Sequence, residues 1–134
     1  MEQDDKLNYK EIPTKASLWS DKDDISWLVF AQDAEISRED MIEIISMSTR
    51  NHNGVESLKV LVDIRGIESF SLEARQYAAS AHLKDIYSCM ALVASTPATK
   101  LLGNFFVRFH KPPRPTKIFD TVEEAKNWLM NFKE

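Results

Sequence analysis

The stretch Val60-Leu-Val-Asp-Ile-Arg-Gly-Ile67 decides the fold of this chain. Its apolar, largely β-branched residues around Asp63 are typical of a strand that is buried on both faces of a sheet. The strand ends at Arg65-Gly66, and Ser71 then opens an Ala-rich helix. In α/β folds, ligands and partners bind at the carboxyl ends of such strands. The stretch therefore predicts a central strand and also the edge of the sheet at which the protein works.

The segments around this strand complete the element order β-β-α-β-α-β-α-β-α. The predicted strands cover residues 16–20, 25–30, 57–64, 89–95 and 116–119, and the predicted helices begin at Ser37, Ser71, Thr96 and Thr121. Strands that alternate with helices indicate a mostly parallel sheet, to which the first two strands add an antiparallel hairpin. The fold class is therefore α/β, with residues 1–14 as a loose lead-in and residues 15–134 as a single domain.

Capping residues set the expected ends of the helices. Ser37 is followed by Asp40, and Thr121 by Glu124, which is the spacing of a capping box. Thr96-Pro97 places proline at the first helical position, where its missing N–H costs nothing. The segment 51–54 ends the first helix, because its Gly54 accepts the left-handed conformation. The inward stripe of the second helix is expected to consist of Ala74, Tyr77, Ala78 and Ala81, whose small residues let the helix lie close to the sheet.

Composition excludes several classes of protein. The chain has 134 residues, of which 43 % are apolar and 28 % charged, as expected of one globular domain. A net charge of -4 argues against a general nucleic-acid binder. The single Cys89 allows no internal disulfide, the acidic amino terminus is unlike a signal peptide, and no apolar stretch approaches the roughly 20 residues that span a bilayer. We therefore expect a cytoplasmic protein without a membrane span.

Motifs for catalysis are missing from the sequence. The chain's histidines, His52, His82 and His110, lack the spacing of a metal-ligand pair. Its three glycines form neither a phosphate loop nor a dinucleotide fingerprint, and no Gly-x-Ser-x-Gly elbow is present. Cys89 starts a buried strand, where a cysteine acts as a small hydrophobe. The sequence predicts no metal, no cofactor and no enzymatic activity.

The third helix carries more apolar surface than one buried stripe needs. Its large side chains fan across about 140° of the helix, against about 100° for a single packed face. These residues are Leu101, Leu102, Phe105, Phe106 and Phe109. A core role explains part of the fan, and the remainder predicts a contact surface or an apolar ligand surface at Leu102, Phe105, Phe106 and Phe109. Self-association into a homodimer is the use that we expect first.

Basic residues follow this fan. Arg108, Lys111 and Arg114 lie beside it or in the Pro-rich turn that follows, together with Lys117. An apolar helix next to cations suits an anionic lipid, an acidic ligand or a second copy of the chain. The first three are therefore candidate anion contacts, while a solvated basic turn is the simpler explanation of the charges alone.

Four segments resemble a group of small, uncharacterised bacterial proteins. The segments are Val62-Asp-Ile-Arg-Gly-Ile67, Asn104-Phe-Phe106, Pro115-Thr-Lys-Ile-Phe119 and Glu123-Glu-Ala-Lys-Asn-Trp-Leu129. These proteins have the SpoIIAA-like fold, which anti-sigma factor antagonist (STAS) domains share with CRAL-TRIO lipid-transfer domains. The similarity covers residues 16–132. It implies that fold, and a regulatory or ligand-binding module rather than an enzyme.

In regulatory STAS domains, a kinase phosphorylates a serine at the start of the helix that follows this strand. The corresponding position here is Leu72, and Ser69 and Ser71 lie nearby. The candidate regulatory loop consists of Asp63, Arg65, Gly66, Ser69 and Ser71. Asp63 has two interpretations: a functional carboxylate, or, as we favour, an acceptor of backbone N–H groups that fixes the shape of the loop.

Two functions from different classes remain at this point. The first is a non-enzymatic, cytoplasmic regulatory or protein-interaction module of the STAS-like type, with a protein partner that the sequence does not identify. The alternative is a carrier or sensor of a small apolar or lipid-like ligand that binds near the third helix. No nucleic acid is expected as a partner in either case.

Overall fold

A computed structural model of the chain describes residues 6–50 and 58–133, with the backbone alone at residues 49 and 50. The strands are β1 (Leu7–Ile12), β2 (Ala16–Ser20), β3 (Ile25–Phe30), β4 (Ala34–Ile36), β5 (Leu58–Asp63), β6 (Ile67–Phe70), β7 (Tyr87–Val93) and β8 (Thr116–Phe119). The α-helices are α1 (Arg38–Arg50), α2 (Leu72–Ala78), α3 (Pro97–Phe105) and α4 (Val122–Asn131). A short 3₁₀ turn at Ala81–Leu83 and a π turn at Phe106–His110 complete the elements.

Six strands form the main sheet in the order β1-β2-β3-β5-β7-β8. Strand β2 pairs antiparallel with β1 on one side and with β3 on the other, and β3, β5, β7 and β8 pair in parallel. The mostly parallel sheet, the antiparallel hairpin and the four helices are as predicted. The deciding stretch lies at the centre, where Val62 of β5 is opposite Leu28 on one side and Leu92 on the other.

Strand β1 lies inside the segment that was expected to be a loose lead-in. Its residues are mostly exposed, so they lack the apolar run that marks a buried strand. An edge strand needs only backbone hydrogen bonds to one neighbour, here β2, and therefore tolerates polar side chains. Tyr9 adds one packed contact, with its ring stacked 6.0 Å from that of Trp19.

A second, two-stranded sheet was also missed. Strands β4 and β6 pair in parallel over three residues, and the Asp33 amide donates to the Gly66 carbonyl at 2.7 Å. A Cβ on Gly66 would lie 2.8 Å from the Ala31 carbonyl oxygen, so the close approach of these segments requires glycine. The predicted loop after β5 is thus an ordered strand that leads into α2.

The helix caps are largely as predicted. The Ser37 hydroxyl and the Asp40 carboxylate accept each other's backbone N–H, and the Ser71 hydroxyl accepts from Ala74 at 3.0 Å. Helix α2 ends earlier than expected. Ala81 therefore lies in the 3₁₀ turn and is exposed, rather than on the inward stripe. The predicted stop of α1 at residues 51–54 lies outside the described residues.

The helices cover the two faces of the sheet unequally. Helices α1, α2 and α3 pack on one face, which we call the three-helix face, and α4 alone packs on the other, the α4 face. Strand β5 contributes side chains to both faces, because successive side chains of a strand alternate. Val60 and Val62 point towards the three helices, and Leu61 points towards α4. The two faces therefore have separate cores.

Candidate functional site

An apolar cavity of about 120 Å³ lies between the sheet and the three helices. Alternate residues of β5, Leu58, Val60 and Val62, form its floor, and Ile64 continues the floor just beyond the strand. At about 3.3 Å per residue, this floor is roughly 20 Å long. The helices supply the roof through Ile44, Ala78, Leu102, Gly103 and Phe106, among others.

The cavity is somewhat smaller than an apolar cavity that binds small organic guests. An engineered apolar cavity of about 150 Å³ stays dry and binds benzene or xenon, and a water molecule needs two to four polar partners to be held. Most wall residues here offer only hydrocarbon, and the Ser48 hydroxyl is already bonded to the Ile44 carbonyl at 3.0 Å. The wall thus suits an apolar molecule better than ordered water.

A few polar side chains interrupt the wall. The Ser26 hydroxyl is buried without a hydrogen-bond partner among the described residues. Burial raises the pKa of Tyr87, against weaker interactions with Thr116 and Arg114, so its phenol stays neutral. Among the described residues that line the cavity, Arg75 is the one with a charged side chain.

Arg75 forms a small cluster with the end of the third helix. Its Nε is buried and finds no acceptor within residues 6–50 and 58–133, while its guanidinium carbon lies 5.4 Å from the centre of the Phe105 ring. The His110 ring lies 5.5 Å from the same phenyl ring, and its Nε2 is likewise buried without a partner there. Burial, followed by the charge of Arg75, lowers the pKa of His110, so the imidazole is neutral at pH 7.

The π turn after α3 builds this cluster, and the sequence did not indicate it. The Lys111 amide donates to the Phe106 carbonyl at 3.2 Å, and Lys111 closes the turn in the left-handed conformation, with φ 50°. Such wide turns are frequent at functional sites. Here the turn brings His110 within ring contact of both Phe105 and Phe106.

The predicted aromatic surface must be corrected at Phe106. This side chain is only 7 % exposed and forms part of the core and of the cavity, so it is not a contact surface. Leu102 is half-buried against the same core. The exposed side chains are those of Phe105, at 38 %, and of Phe109 and Leu101, each at 71 %. The fan is therefore divided between the interior and the surface, as its width suggested.

The loop after β5 is held by an ion pair. The Asp63 Oδ1 accepts from the backbone N–H and the Nε of Arg65, each at 3.0 Å, and Oδ2 accepts from Nη2 at 2.8 Å. The hydrogen bond to Asp63 raises the pKa of Arg65. This geometry matches the structural interpretation of Asp63. Ser71 is occupied as the cap of α2, whereas Ser69 is exposed in β6.

The three candidate anion contacts do not act together. Arg108, within the π turn, and Lys111, at its end, are both exposed. Arg114 instead donates from Nε to the Lys84 carbonyl at 2.5 Å, and its Nη2 lies 4.0 Å from the Asp85 carboxylate. The turn before β7 therefore already holds the guanidinium of Arg114.

Within residues 6–50 and 58–133, no helix is both long and apolar enough to cross a membrane. The same part of the chain contains no group of His, Cys, Asp and Glu side chains arranged to hold a metal ion.

Fold comparison places the chain among α/β proteins with a SpoIIAA-like fold. A crystal structure of an uncharacterized protein from Shewanella loihica PV-4, of the DUF3478 family and with that fold, superposes with a TM-score of 0.61. The two sequences are 18 % identical, and the match covers 85 % of this chain and 91 % of the other. Residues 18–133 belong to the family described as a domain of unknown function, DUF7793. No curated protein matches the sequence.

Proposed function

We propose that the protein is a non-enzymatic binding module that holds a small apolar or lipid-like ligand under its three helices, as a carrier or a sensor. The observation that carries this proposal is the cavity along β5. Of the two functions that the sequence left open, this is the one that the geometry favours.

The driving force for binding is removal of apolar ligand surface from water. Such burial contributes about 25 cal/mol per Å², and the guest also fills a volume whose walls otherwise lack van der Waals partners. A floor of roughly 20 Å favours an extended chain over a compact ring. Half-buried Met90, with its unbranched and flexible side chain, borders the space beside Leu102 and permits small adjustments.

The test compares wild-type protein with a variant whose cavity is filled. Native mass spectrometry of purified protein should reveal a bound amphiphile, and calorimetry should detect binding of 1-decanol. Ala78→Leu places a larger side chain in the wall and should abolish both signals. Ala81→Leu is the matched control, because Ala81 is exposed in the next turn and the substitution leaves the cavity unchanged.

Equal binding of 1-decanol by the wild type and Ala78→Leu would place the ligand elsewhere. Absence of binding to the wild type, freed of any co-purified molecule, would refute the proposal.

Self-association is a second candidate function, supported by the exposed part of the third helix. Phe105 and Phe109 stack with ring centres 4.4 Å apart, and Leu101 is exposed on the same helix. Exposed apolar groups of this kind mark contact sites. Phe109→Asp should shift a dimer towards monomer in analytical ultracentrifugation without altering the circular dichroism. A wild type that is monomeric at high micromolar concentration would remove this role.

A further inference from the structure

We propose that the ligand of this cavity carries an anionic head group, a carboxylate or a phosphate, which Arg75 binds while the apolar chain lies along β5. This inference rests on the proposed function and specifies the chemical class of the ligand.

The first observation is the uncompensated charge of Arg75. No carboxylate of the described residues lies within ion-pair distance of its guanidinium, although Asp63, Asp21 and Asp40 each have a cationic partner. The Nε is buried and lacks an acceptor in the same part of the chain. A buried donor without a partner costs free energy, and more so when it is charged. An anion bound here would remove that cost.

The second observation is the direction of hydrogen bonding in the cluster. A guanidinium offers only donors, so its complement must be an acceptor. His110 adds a second buried nitrogen without a partner among the described residues, and both side chains lie against Phe105. Arg75 and His110 thus form a polar spot at the Phe105 ring, and Arg75 brings that spot to the wall of the cavity.

The charge balance excludes the other head groups. A cationic amphiphile would be repelled by Arg75 and would find no carboxylate in the wall among the described residues. A neutral alcohol offers a single oxygen and no negative charge, so it leaves the charge of the guanidinium uncompensated. A carboxylate or phosphate gains two parallel N–H···O bonds from one guanidinium. The polar spot therefore selects anionic amphiphiles.

The experiment uses four probes that share one chain: decanoate, decyl phosphate, 1-decanol and decylamine. Calorimetry with the wild type should show an anionic probe binding at least about tenfold more tightly than 1-decanol, a difference of about 1.4 kcal/mol, because only the anion pairs with the charge of the guanidinium. Decylamine should bind most weakly. The tighter of decanoate and decyl phosphate identifies the head group, and acetate, which lacks the chain, should not bind.

Two variants separate the charge from the cavity. Arg75→Met keeps the apolar stem and should lose the preference for the anion while retaining its affinity for 1-decanol. Arg75→Lys keeps the charge without the planar fork and should retain part of the preference. Circular dichroism and urea unfolding should show both variants folded, because Arg75 has no ion pair with a described residue to lose.

Equal affinity of the wild type for decanoate, decyl phosphate and 1-decanol would overturn the anionic head group and leave the apolar cavity standing. An unchanged anion preference in Arg75→Met would overturn the role of Arg75. Failure of all four probes to bind would overturn the proposed function itself, and this inference with it.

Discussion

The two faces of the sheet are packed differently. On the α4 face, one helix closes over small residues, and Cys89, Ala91, Ala125 and Leu129 are all fully buried. On the three-helix face, larger side chains and three helices leave the cavity of about 120 Å³. One sheet thus has a close-packed face that stabilises the fold and a second face that encloses space.

The two faces differ in the residues that lie between the sheet and the helices. Ala91 and Ala125 allow α4 to approach the sheet closely, so that one stripe of α4 fills the space. On the opposite face, Phe30, Met41 and Phe106 lie between the sheet and the helices together with the small Ala74 and Ala78 of α2, and a cavity remains among them. Function is therefore expected on the face where packing is incomplete, and the following substitutions test that division.

The largest contrast is expected for leucine-to-alanine changes on the two faces. Leu129→Ala on the α4 face should cost about 4 kcal/mol of unfolding free energy, because a closely packed site cannot collapse around the deletion. Leu92→Ala, in the cavity wall, should cost about 2 kcal/mol, because Leu92 already lacks neighbours on one side. Urea unfolding of both variants measures the difference. Equal losses would contradict the contrast between the faces.

The next effect concerns Asp21, which ties the β2–β3 turn to α4. Its carboxylate accepts from Trp27 Nε1 at 2.8 Å and from the Ile25 and Asp23 amides, and pairs with Lys126 at 3.1 Å. Burial alone would raise the pKa of Asp21, but these bonds together outweigh it and lower the pKa. Asp21→Asn should therefore cost about 3 kcal/mol at pH 7.

The pH dependence of that loss follows from the lowered pKa. The unfolded chain takes up the proton first, near the ordinary value of 3.8, so the stabilisation is complete above that pH. The stabilisation declines as the pH falls through the folded pKa of Asp21. The unfolding free energy of the wild type should then approach that of Asp21→Asn. Urea midpoints between pH 7 and pH 2 check this. Asp120→Asn is the control, because its exposed pair with Lys100 contributes little. A difference that stays constant down to pH 2 would exclude the carboxylate as its source.

An alanine-to-leucine substitution should have opposite effects on stability on the two faces. Ala125→Leu on the α4 face should cost about 2 kcal/mol, because overpacking strains a filled core. Ala78→Leu should instead gain about 1 kcal/mol, because the added methyl groups enter the cavity. Thermal unfolding distinguishes the two, and a loss at both positions would mean that the cavity wall cannot accept a larger side chain.

The smallest effect is expected at the cap of α2, one of the helices over the cavity. Ser71→Ala removes the acceptor for the Ala74 amide and should cost about 1 kcal/mol. Ser69→Ala, at an exposed position of β6, should change stability by less than about 0.5 kcal/mol. Phosphoproteomics is the matching test of regulation: serines 69 and 71 unmodified under varied growth conditions would remove a phosphorylation switch.

Much of the fold could be predicted because its signals are local. Strands β2, β3 and β8 and the caps at Ser37, Ser71 and Thr96 carry short-range patterns, and the structure contains them. Strands β1, β4 and β6 could not be predicted from local sequence patterns. They are short or exposed and depend on pairing with a strand elsewhere, which no local pattern records.

The candidate site shows the same limit. The surplus of aromatic residues on the third helix was visible in the sequence, but not that Phe106 turns inward while Phe109 remains outside. That division depends on the π turn, which has no sequence signature of its own. That the Arg75 Nε finds no acceptor among the described residues was equally hidden, because it is a property of the packed structure.

The contrast between the faces is tested most directly by diffraction from crystals pressurised with xenon, using protein freed of bound small molecules. Xenon enters dry apolar cavities and leaves close-packed regions unoccupied. We expect xenon density above Val60 and Val62, beneath α1, α2 and α3, and none between the sheet and α4. A structure without xenon on the three-helix face, or with ordered water filling that space, would contradict the apolar cavity on which the proposed function rests.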